Sequence, residues 1–228
     1  MKVLILVQSF EGDTSTYKEG DLTYSELMRA QQETWDSVVH PDVQTIYYIP
    51  SLTKSGFESN KFYVRYRTDF DFMFIHFMKT LIGVMDLEWD YIFKTDNSAY
   101  VCKEELVKLL TTKPRSRFYG GHPYDGPNIN DIKDFMWGEG VALSRDVVQS
   151  LIDIYALDPV SRFGPEDIII GAVLKDKCEW DPTMKIHVYW HDPFTLSHVY
   201  RCRNDQSQEN IFSDDIKAMK EIHQKLTE

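Results

Sequence analysis

One stretch constrains the fold more than any other: an apolar run from Tyr91 to Phe93 leads into the polar cluster Asp96-Asn97-Ser98. Such a run is typical of a buried strand in a parallel sheet. Asp, Asn and Ser are poor strand formers, but they hold oxygen ligands close to the backbone. Open α/β sheets bind ligands at the carboxyl ends of their strands. The stretch therefore indicates either a site for a metal-bound phosphate or an ordinary turn after a strand.

Strand-like and helix-like segments alternate in the first half of the chain, which predicts an α/β fold. The predicted strands cover residues 2–7, 43–49, 91–94, 117–121, 135–144 and 185–190. The predicted helices cover residues 24–39, 70–85, 103–111, 145–155, 168–174 and 214–226. Thr23 and Glu26 form a capping-box pattern at the start of the first helix. The polar residues 51–60 predict a loop, and Pro50 is predicted to close the second strand.

Length and charge limit the classes of protein that the chain can belong to. With 228 residues and 43% hydrophobic content, it can bury the core of a single domain. The net charge is −11, whereas a protein that binds nucleic acid needs a basic face. We therefore expect no nucleic-acid partner.

Several features indicate where the protein resides. The opening apolar run, residues 3–7, is too short for a signal peptide, and no stretch approaches the ~18 apolar residues of a membrane span. Cys102, Cys178 and Cys202 are odd in number and lack C-x-x-C spacing, which favours reduced thiols. We expect a cytoplasmic protein without a transmembrane segment, associated with membranes only peripherally if at all.

Two further clusters have both a functional and a structural interpretation. Glu166 and Asp167 are adjacent acids at a predicted helix start, where one can act as a general base or both can cap the helix. Trp137 with Gly138 and Glu139 offers an aromatic platform beside flexible backbone, which suits a sugar ring. A packed tryptophan beside a strand bulge explains the same residues.

Three histidines near the C-terminus, His187, His191 and His198, can complete a metal shell or be ordinary core and surface residues. Other mechanisms lack their sequence signals. There is no G-x-S-x-G elbow for a serine nucleophile, no Walker A loop and no G-x-G-x-x-G after a strand.

The order of these segments resembles the β-1,3-glycosyltransferase superfamily, which includes β-1,3-galactosyltransferases, core 1 synthases and Fringe. Six blocks carry the resemblance over residues 29–200. They are Arg29–Trp35 (an R-x-x-x-R-x-T-W-type helix), Lys79–Leu81 (L-K-T), Phe93–Val101 (L-K-T-D-D-D-V-F-V), Trp137–Asp146 (S-G-G-G-Y-V-L-S-R-D), Pro165–Gly171 (E-D-V-x-x-G) and Leu196–Tyr200 (S-F-H-Y).

The resemblance implies a fold and a domain plan. Members of the superfamily have the GT-A fold, a Rossmann-like, mostly parallel central sheet flanked by helices. We expect one such domain over residues 1–228, with a small additional sheet towards the C-terminus. Residues 1–101 would form the nucleotide-sugar half, residues 102–212 the acceptor half and residues 213–228 a C-terminal helix.

The resemblance also implies an inverting transfer from a nucleotide-diphosphate sugar, with a UDP-sugar favoured, to a glycan or other hydroxyl acceptor. Asp167 would be the general base, with Glu166 the next candidate. The residues implied for donor binding are Gln8, Ser9, Arg29, Lys94, Asp96 and Asn97. Those implied for the acceptor or sugar are Trp137, Gly138 and Glu139. Asp96, Ser98 and His198 would hold a divalent cation, Mn²⁺ or Mg²⁺.

The chain departs from the family pattern at three points. Asn97 and Ser98 replace two acids of the family's aspartate cluster, which should weaken metal binding, and Gln32 stands where a second arginine is usual. The family's N-terminal membrane anchor is missing, which suggests a bacterial or viral protein. Two alternatives stay open: a non-catalytic sugar-nucleotide or glycan-binding protein, and a nucleotidyltransferase with a similar sheet.

Overall fold

The fold is built on an eight-stranded sheet with a parallel centre. The computed structural model describes residues 1–10, 23–67, 72–124, 126, 135–157, 165–190, 193–203 and 211–228. The strands are β1 (Val3–Gln8), β2 (Val43–Ser51), β3 (Gly56–Glu58), β4 (Lys61–Arg65), β5 (Tyr91–Asp96), β6 (Ala99–Val101), β7 (Phe118–Pro123), β8 (Met136–Ser144), β9 (Glu179–Asp181), β10 (His187–Val188) and β11 (Val199–Arg201). The helices are α1 (Tyr24–Glu33), α2 (Met73–Val84), α3 (Lys103–Thr111), α4 (Arg145–Leu157), α5 (Glu166–Leu174) and α6 (Ile211–Thr227).

The strand order places several strand ends at one edge. The large sheet runs β3-β4-β2-β1-β5-β8-β7-β9. β1 pairs in parallel with β2 and β5, so all three strands end at the same edge. β8 is antiparallel to β5 and therefore begins at that edge. A small second sheet has the strand order β10-β11-β6, and its strand β6 comes directly after the turn that follows β5. The predicted fold class, a mostly parallel sheet flanked by helices with a small additional sheet, is confirmed.

The hydrophobic core has two halves, one on each face of the large sheet. Successive residues of β1 point to opposite faces, because side chains alternate along a strand. Val3, Ile5 and Val7 pack with α1, α3 and α6. Leu4 and Leu6 pack with α2, α4 and α5. Helices therefore cover both faces, and none within the described residues is long and apolar enough to cross a bilayer.

The first helix is shorter than predicted. It ends at Glu33, and a 3-10 turn over Trp35–Ser37 follows. Trp35 is buried, whereas Val38 and Val39, at the end of the predicted helix, are 44% and 91% exposed. The helix ends because the Thr34 backbone leaves the helical region, with ψ at −109°.

Two strand predictions were wrong in the first half of the chain. β2 continues through Pro50 to Ser51. The last hydrogen bond between β1 and β2 runs from the Ser9 N–H to the Tyr48 carbonyl, so β1 has ended before Pro50 is reached. The N–H that Pro50 lacks would face this side, and its absence therefore costs the sheet no hydrogen bond. The predicted loop 51–60 contains β3, which pairs with β4 in a hairpin.

The later elements differ mainly in length. The predicted strand 185–190 is paired as β10 over only two residues, His187–Val188. α5 begins at Glu166, two residues before its predicted start, and α6 begins at Ile211. The predicted start of the second helix, residues 70–71, lies outside the described residues.

Candidate active site

The turn after β5 presents the first polar group at the carboxyl edge of the sheet. The Ser98 backbone N–H and hydroxyl donate to Asp96 Oδ1 at 2.9 and 3.0 Å. The Gln31 amide, buried on α1, donates hydrogen bonds of 2.9 Å to the carbonyls of Asp96 and Ala99. The turn is therefore held by its own side chains and by α1.

Asn97 is buried and points towards the end of β1. Its amide donates to Ser9 Oγ at 3.1 Å and to the Tyr24 carbonyl at 3.4 Å. Within the described residues, Asn97 Oδ1 and both amide atoms of the buried Gln8 make no hydrogen bond. Buried polar atoms in proteins are nearly always paired, so these atoms suit contact with a polar ligand.

A cavity of about 130 Å³, here called the turn cavity, lies at the ends of β1 and β5. Besides Gln8 and residues 96–98, it is lined by Phe10, Tyr24, Met73 and Arg203. The ring of Tyr24 lies 5.1 Å from that of Phe10 and 5.1 Å from that of Phe212 on α6. Apolar rings beside a few amide, carboxylate and guanidinium groups are typical of a small-molecule site.

Two arginines near the turn cavity each lie next to a buried carboxylate. Arg201 Nη1 lies 2.8 Å from Glu139 Oε2, and Arg203 Nε lies 4.0 Å from Oδ2 of the fully buried Asp215. Burial raises the pKa of Glu139 to about 7, and the charge of Asp96 adds to the effect. Burial likewise raises the pKa of Asp215 to about 8, although Arg203 opposes the shift.

Lys94 and Glu166 form a buried ion pair near the turn, with both side chains 3% exposed. Lys94 Nζ also donates to the Gly138 carbonyl at 2.8 Å. Burial disfavours the charged lysine, but the charges of Glu166, Asp96 and Asp167 outweigh burial and raise the pKa of Lys94. Glu166 is therefore committed to Lys94 and is a poor candidate for the base.

Asp167 is half-buried at the start of α5. Its Oδ1 accepts the Ile168 N–H at 2.9 Å, so one oxygen caps the helix. The other oxygen faces β8: a Cβ added at Gly138 would lie 3.5 Å from Asp167 Oδ2 and 3.0 Å from Lys94 Nζ. Burial, followed by the charge of Glu166, raises the pKa of Asp167, and Lys94 offsets part of the shift.

The segment predicted to bind sugar packs against Arg201. The guanidinium of Arg201 lies 5.0 Å from the centre of the Trp137 ring. The centres of the Tyr124 and Trp137 rings are 5.7 Å apart. Glu139 is paired with the same arginine. The half-buried Trp137 still borders solvent, and a role for Trp137, Gly138 and Glu139 in sugar binding stays a prediction.

Arg29 does not line the turn cavity. Its side chain is 65% exposed on α1 and lies 3.8 Å from Glu26. It lines another cavity, of about 700 Å³, between α1 and the end of β2, together with Lys54 and Lys61. Its role in donor binding stays a prediction.

The side chains implied for a divalent cation do not fit one. Asp96 Oδ1 already accepts two hydrogen bonds from Ser98. His198 is not among the residues of the turn cavity and lies with its ring 6.3 Å from that of Phe93. Among the described residues, no group of three or more His, Cys, Asp or Glu could hold a metal ion. His191 lies outside those residues.

The sequence motifs missed Arg203 and Gln31. The signal for Arg203 is the pair Arg201 and Arg203, two basic residues close together in an acidic chain, although Arg203 lies two residues beyond the end of β11. The signal for Gln31 is its spacing of four residues from Leu27 and Trp35, which places a polar side chain on the buried face of the helix. Both side chains contact the turn or its cavity.

Comparisons with known proteins show likeness in fold. No protein-family model and no curated protein sequence matches the chain. A 4-diphosphocytidyl-2C-methyl-D-erythritol synthase from Anaerococcus prevotii is similar in structure, with a TM-score of 0.53, 12% identity and 95% of each chain covered. The glycosyltransferase GlyE of Streptococcus pneumoniae is similar with a TM-score of 0.53 and 9% identity, over 99% of this chain and 64% of its own.

These likenesses and the sheet topology define the class of fold, an α/β fold of the GT-A, Rossmann-like type. At 9% and 12% identity the two structures establish the fold alone. Membership of the β-1,3-glycosyltransferase superfamily stays a prediction.

Proposed function

We propose that the protein is an inverting glycosyltransferase that moves a sugar from a nucleotide-diphosphate donor, with a UDP-sugar favoured, to a hydroxyl of a glycan or similar acceptor. The observation that carries the proposal is the position of Asp167: its Oδ2 faces Gly138 of β8 beside Lys94, and β8 pairs with β5, whose last residue, Asp96, lines the turn cavity. A carboxylate and a ligand cavity thus lie close together at the carboxyl edge of the sheet. The similarity in fold to the glycosyltransferase GlyE supports the proposal.

The reaction needs one proton acceptor and one place for the leaving group. Asp167 Oδ2 takes the proton of the acceptor hydroxyl, and the hydroxyl oxygen forms a bond to the anomeric carbon from the face opposite the donor phosphate. The bond from that carbon to the phosphate oxygen breaks, and its electron pair leaves with the nucleoside diphosphate. In this arrangement the turn cavity holds the diphosphate, and Lys94 keeps Glu166 and the Gly138 carbonyl in place.

The raised pKa of Asp167 suits a base. A base accepts a proton most effectively when its pKa approaches the working pH. Because Asp167 acts only when ionised, we expect kcat/KM to fall as the pH drops through its pKa. We expect this acid limb to lie above the ordinary aspartate value of about 3.9.

The first prediction concerns Asp167→Asn. The amide cannot accept the proton, so turnover should fall at least ~10²-fold while the melting temperature is retained. The measurement is release of nucleoside diphosphate from a panel of nucleotide sugars, with water or added sugars as acceptors. Asp153→Asn, which changes an exposed carboxylate on α4, is the matched control and should leave turnover unchanged. Near-normal turnover of Asp167→Asn would remove Asp167 from the mechanism.

A nucleotidyltransferase is the second candidate, because the similar synthase from Anaerococcus prevotii matches 95% of both chains. The product separates the two reactions. A glycosyltransferase releases a nucleoside diphosphate, whereas a nucleotidyltransferase acting on a nucleoside triphosphate releases pyrophosphate.

A non-catalytic binding protein is the third candidate, favoured by the inward-pointing Asn97 and by Ser98 in place of an acid. It predicts binding of a nucleotide sugar, seen as a thermal shift, without release of nucleoside diphosphate or pyrophosphate. A ligand at about 100 times its Kd adds roughly 2.7 kcal/mol of stability, so binding is readily detected.

A further inference from the structure

A protein side chain supplies a positive charge at the turn cavity. Arg203 lines this cavity together with Asp96, Asn97 and Ser98, the residues at which the family resemblance implies a metal ion. We propose that the Arg203 guanidinium binds the diphosphate of the donor and takes the place of a divalent cation. This inference rests on the proposed glycosyl transfer.

The turn itself leaves little capacity for a metal ion. Ser98 uses both its N–H and its hydroxyl on Asp96 Oδ1. The Asn97 amide donates to Ser9 Oγ and to the Tyr24 carbonyl, and as a neutral side chain it adds no negative charge to the turn. Hard divalent cations need several oxygen ligands, whereas this turn offers one carboxylate that is already hydrogen-bonded.

Arg203 is held so that part of its guanidinium faces the cavity. Nε lies 4.0 Å from Asp215 Oδ2, beyond hydrogen-bond distance, and the side chain keeps 31% of its surface exposed. A guanidinium is planar and has five N–H donors, an arrangement that matches phosphate oxygens in pairs. Asp215 can therefore orient the Nε edge while the terminal nitrogens contact a phosphate.

Two neighbouring side chains supply further unpaired polar atoms. Gln8 is 3% exposed and lines the turn cavity, and neither of its amide atoms has a hydrogen-bond partner within the described residues. Asn97 is 2% exposed and keeps its Oδ1 without a partner in the same part of the structure. A donor amide, an acceptor oxygen and a guanidinium fit a ligand with both phosphate oxygens and hydroxyls.

The local charge is compatible with an anionic ligand. Asp215 faces Arg203, and burial raises the pKa of that carboxyl to about 8. Burial alone would lower the pKa of Arg203, but the charges of Asp96, Asp215 and Glu139 outweigh it and raise that pKa, so the guanidinium stays charged beside the cavity. Glu139 is paired with Arg201 and so does not neutralise Arg203 by direct contact.

The test is binding of UDP, followed by GDP, CDP and ADP, measured by calorimetry in buffer with EDTA and again with Mn²⁺. We expect the Kd of the bound diphosphate to agree within about threefold in the two buffers. Arg203→Gln should raise that Kd at least tenfold, or about 1.4 kcal/mol, because the charge-assisted hydrogen bonds to the phosphate are lost. Arg115→Gln, at an exposed arginine paired with Asp90, is the matched control and should bind as the wild type does.

A second variant guards against loss of folding. Arg203→Gln leaves the ionisable Asp215 buried without its partner, so the double variant Arg203→Gln/Asp215→Asn removes both ionisable groups and should fold while still binding at least tenfold more weakly. Binding that occurs with Mn²⁺ and is lost in EDTA would overturn the inference and leave the proposed transfer intact. An unchanged Kd in the folded double variant would also overturn it. If none of the four diphosphates bound in either buffer, the result would contradict both the inference and the proposed function.

Discussion

At the scale of single residues, Lys94 decides between two adjacent carboxylates. Glu166 and Asp167 are equivalent in sequence, since both stand at the start of a helix. In the structure Lys94 forms a buried ion pair with Glu166, whereas Asp167 is only half-buried. Breaking a buried pair by removing one partner costs roughly 3–5 kcal/mol. A loss of activity in a Glu166 variant therefore has to be separated from a loss of stability.

Gly138 is the residue that allows β8 to approach both charges. In Gly138→Ala the added methyl group would lie 3.0 Å from Lys94 Nζ, so the lysine or the strand must move. We expect turnover to fall about three- to tenfold, because Lys94 has to give way by a fraction of an ångström and a misplacement of about 1 Å in an active site can cost 10²-fold.

Gly140→Ala is the matched control. Its Cβ would lie 3.4 Å from side-chain carbons of Ile186 and Val199, an ordinary contact distance. We expect turnover within about twofold of the wild type, measured as release of nucleoside diphosphate. Equal turnover in the two alanine variants would contradict a special role for Gly138.

At the scale of elements, local signals predicted the helices better than the edge strands. The capping box predicted for Thr23 and Glu26 is confirmed: Ser25 N–H donates to Thr23 Oγ1 at 3.2 Å, and Thr23 N–H donates to Glu26 at 2.9 Å. α3 begins and ends at its predicted residues, 103 and 111. β3 could not be predicted because it is three residues long and depends on its pairing with β4, and β10 was predicted too long because its pairing with β11 covers only two residues.

The contact between α1 and the turn after β5 is an element-level prediction. Gln31→Met keeps the size of the side chain and removes both hydrogen bonds to the carbonyls of Asp96 and Ala99. Because these groups lie inside the protein, we expect the free energy of unfolding to drop by about 1–3 kcal/mol. The measurement is urea denaturation, and the Kd for UDP should rise in parallel because the turn loosens.

The matched control for Gln31 is Gln149→Met on the exposed face of α4, where the amide contacts only Asp153 among the described residues. Its unfolding free energy should change by less than about 0.5 kcal/mol. If Gln31→Met were as stable as this control and bound UDP normally, α1 would have no role in holding the turn.

At the scale of the whole molecule, the site combines segments that lie far apart in the chain. The order of the sequence blocks indicated that Asp96 and Asp167 belong to one site, and the charges of both act on Lys94. The order of the blocks could not predict that Arg203 and Asp215 also lie at this site. That depends on the pairing of β11 with β6 and on the packing of α6 against the sheet, which no local pattern encodes.

The buried carboxylates predict how the stability of the molecule changes with pH. Asp215 has a folded-state pKa of about 8, above that of an unfolded chain, so the folded protein binds the proton more tightly. Its contribution is therefore present at low pH and is lost as the pH rises towards 8. The loss from this residue is at most about 1.4 kcal/mol per pH unit, or roughly 3–5 °C in Tm.

The measurement is Tm by calorimetry between pH 6 and about 8.5, for the wild type and for Asp215→Asn. The variant has no proton to lose at this position, so its Tm should fall less steeply. Asp176→Asn, at an exposed position, should follow the wild-type slope. Parallel slopes for wild type and Asp215→Asn would contradict the raised pKa.

The late position of β11 has a consequence for biosynthesis. The strands of the large sheet are all present once β9 has left the ribosome, whereas Arg203 emerges afterwards and α6 later still. Because domains can begin to fold during synthesis, the sheet can form before the guanidinium is available. If Arg203 binds the donor diphosphate as proposed, that contact can form only after the strands of the large sheet have been synthesised.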